Sequence, residues 1–120
     1  MEQIASLNPY TAQKLRREMV DNLLQVCQEH FEANHLTTNA SGGNTALVCY
    51  RKVQELDPNN HEAKQGLKDI EERYKTWAEM ALQKKKLDKA RTYLASLEKV
   101  NPQSPDLPVL KQRLEEAESK

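Results

Sequence analysis

Residues Ala46 to Pro58 read Ala-Leu-Val-Cys-Tyr-Arg-Lys-Val-Gln-Glu-Leu-Asp-Pro. A small residue, Ala46, is followed by Tyr50 four positions on, Val53 three after that, then Leu56 and Pro58. The same frame returns in Ala90, Leu94, Leu97, Val100 and Pro102, each displaced by 44 residues from its counterpart. Five equal offsets mark an internal duplication, and repetition at a fixed period constrains the fold before any single element is assigned.

Around that duplication the apolar residues keep helical spacing. Asn8-Pro9 supplies a capping residue and a proline suited to the first turn. From there Leu15, Met19, Leu23, Val26 and Cys27 recur in steps of three and four, flanked by Val20, Leu24 and Phe31, and predict a first helix over about residues 10–34. Thr37 to Asn44, with adjacent glycines amid Ser, Thr and Asn, predicts a loop, and Asn44 is placed to cap a second helix over residues 45–56. Asp57-Pro58 ends that helix. Asn59 with Glu62 forms a plausible capping box for a long third helix over about residues 60–85, carrying Ala63, Leu67, Ile70, Tyr74, Trp77, Ala78, Ala81 and Leu82. A fourth helix is expected over about residues 88–99. Ser104 and Pro105 open a fifth, lined by Leu107, Leu110 and Leu114. No stretch alternates with a period of two, so the expectation is an all-α fold of about five helices in a single domain over residues 10–118, after a loose lead-in over residues 1–9.

The residues resemble a tetratricopeptide repeat protein, with two divergent helix pairs (about residues 15–59 and 60–104) and a closing helix over about 105–118. Ala46, Tyr50, Val53 and Pro58 match the second-helix half of one unit, and Ala90, Leu94, Leu97 and Pro102 that of the next. Leu24, Cys27, Gln28 and Phe31, then Tyr74, Trp77, Ala78 and Ala81, match the first-helix halves. The spacing departs from the family period of about 34 residues. The ten extra residues are expected as a lengthened third helix between Asn60 and Ile70, with about six more inserted at Thr37 to Asn44. The first pair and its loop are similar to bacterial repeat regions attached to larger signalling or enzyme modules.

Composition narrows function. Eighteen basic and eighteen acidic side chains give a formal net charge of zero, which offers no electrostatic reason to expect nucleic acid or a membrane surface. No apolar run is long enough to span a bilayer, and no signal peptide is visible; a cytoplasmic location is the resulting expectation. The two cysteines, Cys27 and Cys49, sit in apolar helical patterns and read as buried, unbridged thiols. Cys27 and His30 have a spacing that metal ligands can use, but a site needs three or four ligands, and a core thiol beside an imidazole is the simpler reading. Ser41-Gly42-Gly43-Asn44 lacks the Lys of a phosphate loop and reads as a turn. Asn39-Ala40-Ser41 fits a glycosylation sequon, which has meaning only for a secreted chain. Lys84 to Lys86, Lys89 and Arg91 read as a solvated helix end, with no aromatic among them in sequence. No enzyme motif is found, and no cofactor is implied.

The resemblance implies a concave face lined by the first helix of each pair. Here that face would carry Asn22, Gln25, Glu29 and Glu32, then Glu72, Lys75, Glu79, Leu82 and Gln83. Gln25, Glu29 and Glu72 stand where the family's carboxylate-binding readers use Lys, Asn and another base. The implied function is a protein–protein interaction scaffold whose mildly acidic groove prefers neutral or basic segments. A homo-oligomerisation or spacer module is the alternative.

Overall fold

The computed structural model describes residues 8–38 and 43–119. It is all-helical, with no strand among the described residues: α1 (Pro9–Glu32), α2 (Ala46–Leu56), α3 (His61–Gln83), α4 (Leu87–Val100) and α5 (Asp106–Glu118). The expected lead-in over residues 1–9 lies largely outside the described residues, as does the sequon at Asn39 to Ser41.

Polar caps set the boundaries. Asn8 accepts the Thr11 amide at 2.7 Å, with Pro9 in the first turn. At α2 the cap is Thr45, whose hydroxyl accepts the Val48 amide at 3.3 Å, rather than Asn44. At α3 it is Asn60, which accepts the Ala63 amide at 2.8 Å, so the expected box from Asn59 to Glu62 does not form. Asn60 also donates to Asp57 at 3.2 Å, tying the cap to the turn that stops α2. Ser104 accepts the Asp106 amide at 3.3 Å and opens α5.

Helices α1 and α2 pair, as do α3 and α4; α2 packs on α3, and α5 closes the far side against α4 and α3. Ala46 and Ala90 are both fully buried at 0% exposure. Both lie in one continuous core cluster with Val53, Ile70, Ala78, Leu94 and Leu97. A methyl at these positions lets the helix axes approach closely, and a larger side chain would force them apart. Helices α1 and α3 end alike. Asn34 and Lys85 take left-handed backbone (φ 63° and 57°), and the following amides, His35 and Lys86, reach back to the carbonyls of His30 and Ala81 at 2.9 and 2.8 Å.

Four features differ from the expectations or go beyond them. First, Cys27 and Cys49 are not free thiols: they form a disulfide across the α1–α2 pair, with Cα atoms 5.3 Å apart. Apolar surroundings suit a disulfide as well as a thiol, so the pattern around each cysteine carried no sign of the bond. Second, α3 has 23 residues and stops at Gln83, short of the expected end at about residue 85, because Lys85 takes left-handed backbone. Third, the start of the α1–α2 connection, where a loop is expected from Thr37, is packed into the fold. Leu36 and Thr37 are buried, the Ala46 and Leu47 amides bond to the His35 and Leu36 carbonyls at 2.6 and 2.9 Å, and the Thr37 hydroxyl meets the Tyr74 hydroxyl at 2.8 Å. Fourth, the apolar face of α1 is only partly used. Val20, Leu24 and Cys27 are buried, whereas Leu15, Met19 and Val26 are 46%, 54% and 42% exposed. Helix α2 is 11 residues, about 16 Å, against about 36 Å for α1, so it covers one stripe of its partner and only part of its length.

Candidate interaction surface

Helices α1 and α3 bound an open depression of about 440 Å³ lined by Phe31, Asp69, Glu72, Arg73 and Thr76. The four α3 residues are spaced i, i+3, i+4, i+7, one stripe of a helix, so the same face must present them together. Phe31 comes from the last turn of α1 and is half-buried. Arg73 is held from two sides. Its guanidinium carbon is 4.5 Å from the Phe31 ring centroid and 5.8 Å from that of Trp77, and its Nη1 donates to the Asn34 side-chain oxygen at 3.1 Å. The cation therefore belongs to the wall, stacked on rings and bonded to the residue that turns the chain after α1.

The carboxylates around it are freer. Asp69 accepts from Gln65 at 2.9 Å, while Glu72 has no hydrogen-bond or ion-pair partner among the described residues. Tyr50, on α2, shares a neighbouring hollow with Glu62 and Asp69. Its phenol is pushed above the ordinary value, chiefly by burial and then by the negative charges of Asp69, Glu62 and Glu32. The charged residues that line the depression are Asp69, Glu72 and the tethered Arg73.

The residues expected on the concave face divide into three groups. Asn22, Gln25, Glu29 and Glu32 on α1 and Glu72 and Gln83 on α3 are exposed; Glu32 accepts from Gln28 at 3.2 Å. Of these, Glu72 lines the depression. Lys75 and Glu79 are half-buried and turned toward α5, 3.5 Å from Asp106 and 4.0 Å from Arg113. Leu82 is buried in the core, so it lines no groove. Phe31, Asp69, Arg73 and Thr76 were missed as surface residues. The signal for three of them was in the sequence, because they share the helical stripe of Glu72. Phe31 gave none, because its position also fits the core of the α1–α2 pair.

Two chemical readings change. Cys27 is bonded to Cys49, so it cannot join His30 in holding a metal, and no cluster of three or more metal-ligating side chains occurs among the described residues. The lysines after α3 do have aromatic neighbours in space: Trp77 and Tyr93 line a hollow with Lys84, Lys86 and Lys89. Of the anion-binding turn considered at Ser41 to Asn44, Ser41 and Gly42 lie outside the described residues. Among the described residues, no helix is long and apolar enough to cross a membrane.

Comparison with protein-family models, with curated proteins and with solved structures returned no match to this chain.

Proposed function

We propose that the chain is a helical-repeat scaffold of the tetratricopeptide kind, a module of a larger protein, that binds an extended neutral or basic peptide segment in the depression between α1 and α3. The observation that carries this reading is the pairing of a stacked, tethered Arg73 with an unpaired carboxylate at Glu72 in the depression that Phe31 also lines. An incoming Lys or Arg finds an acceptor there without displacing an existing partner, and an apolar side chain finds the ring. The Cys27–Cys49 bond supports work in an oxidising compartment, where such bonds persist, over the cytoplasmic expectation.

Calorimetric titration with a Lys/Arg-bearing extended peptide tests it. Saturable binding that Glu72→Lys weakens supports the reading. Binding unaffected by Glu72→Lys, or an acidic peptide whose affinity depends on Glu72 and Arg73, overturns it.

A second reading, self-association, has its own observation. Leu15, Met19, Asn22, Val26 and Glu29 follow one another in steps of four and three along the exposed side of α1, the spacing of a coiled-coil seam. Light scattering at two concentrations separates the readings. A dimer abolished by Met19→Lys would assign that stripe to a second copy, and a concentration-independent monomer would leave the scaffold reading alone.

A further inference from the structure

We propose a second docking site, of opposite charge, in the hollow between α3 and α4: it receives an acidic peptide segment that inserts one aliphatic side chain. The hollow holds about 140 Å³, well above the ~10–15 Å³ that admits one water, and is lined by Trp77, Met80, Ala81, Lys84, Lys86, Lys89 and Tyr93. Its walls are apolar and its rim is cationic. Met80 is 44% exposed, and Trp77 and Tyr93 are half-buried with ring centroids 5.5 Å apart. Lys84, Lys86 and Lys89 have no ion-pair partner among the described residues. The nearest acid in sequence, Asp88, is held by Arg91 at 2.7 Å.

Lysines after a helix are ordinarily explained by the negative end of its dipole. That accounts for Lys84 and Lys86. It does not account for Lys89, which lies on the next helix, nor for an exposed methionine and two aromatic side chains among the cations. Charge complementarity fixes the sign of the partner, because the chain as a whole is neutral and offers no long-range bias. The shape fixes the class. Trp77 and Tyr93 lean on each other at 45° and both lie against Tyr74, at 5.6 and 6.4 Å, so part of each ring is already covered, and a single branched aliphatic group beside Met80 suits a hollow of this size better than a stacked nucleobase.

Trp77 is the sole tryptophan and therefore the reporter. The probe is a twelve-residue Asp/Glu peptide with one central leucine, titrated against the whole chain while Trp77 emission is followed. The expected result is a saturable blue shift, weakened roughly tenfold or more by the triple variant Lys84→Gln/Lys86→Gln/Lys89→Gln, by 0.5 M salt, or by a serine in place of the leucine. These lysines are exposed, and circular dichroism checks that the triple variant keeps its helix content. An absent shift at millimolar peptide overturns the proposal, as does undiminished binding by the triple variant or tighter binding of oligo-dT than of the peptide. Loss of a concentration-dependent dimer in the triple variant would give the hollow to a second copy and would also overturn it. The groove variant Glu72→Lys is expected to leave this titration unchanged, so the fate of this site is read separately from that of the α1–α3 depression.

Discussion

The ring of Tyr50 fills the space that a side chain at position 66 would need: a Cβ on Gly66 would stand 2.4 Å from the Tyr50 Cζ and 2.5–2.6 Å from both Cε atoms. This is how α2 meets α3. The aromatic that follows the small residue in the first pair rests on bare backbone in the second. The contact explains why a glycine is kept inside a helix, where it costs about 1 kcal/mol relative to alanine.

Gly66→Ala should therefore destabilise the fold despite its gain in helix propensity, by a net of about 1–3 kcal/mol in urea unfolding. Tyr50→Leu combined with Gly66→Ala should recover more than the sum of the single changes allows, because the shorter side chain frees the space. A Gly66→Ala protein as stable as the parent would show that the ring swings aside at no cost.

Reduction should loosen the first helix pair. The Cys27–Cys49 bond closes a loop with a sequence separation of 22. Its removal is expected to cost about 3 kcal/mol on the chain-entropy account. Denaturant midpoints of Cys27→Ala/Cys49→Ala, and of the parent with and without reductant, measure this. Coinciding midpoints would mean that α1 is held by packing alone.

The two left-handed corner residues should respond differently to glycine. Lys85 has no compensating side-chain bond among the described residues, and Lys85→Gly should stabilise by about 0.5–1 kcal/mol by removing its backbone strain. Asn34 tolerates the same geometry better, and its side chain accepts the Arg73 hydrogen bond. Asn34→Gly should therefore be neutral or destabilising. Thermal midpoints of the two variants measured side by side give the comparison, and a stabilised Asn34→Gly would contradict it.

Alkaline pH should weaken the fold through Tyr50. Its proton is held more tightly in the folded chain than at the ordinary value of 10.0, through burial and then the charges of Asp69, Glu62 and Glu32. The stabilisation is fully present below pH 10.0 and is lost as pH rises toward and through the raised folded value. Tyr50→Phe should flatten this part of the stability curve while leaving stability at neutral pH little changed. Circular-dichroism denaturation at several pH values above 9 reads the difference, and parallel curves for parent and variant would remove Tyr50 as the cause.

The sequence by itself determined the helices and their punctuation. The duplicated Ala46 and Ala90 frames, the stops at Pro58 and Pro102, and the starts near Asn8, Asn60 and Ser104 are local properties, set by backbone hydrogen bonding and side-chain periodicity within a few residues. The polar stripe of Asp69, Glu72, Arg73 and Thr76 is a local property of the same kind, although of its members only Glu72 is expected on the concave face. Only the tertiary structure decided which residues from different helices meet. It joined Cys27 to Cys49, laid Arg73 over Phe31, brought Trp77 and Tyr93 to the lysines after α3, and turned Lys75 and Glu79 toward α5. It also left Leu15, Met19 and Val26 in solvent. Periodicity reports that a face is apolar; whether that face is covered depends on the length and angle of a neighbour encoded elsewhere in the chain.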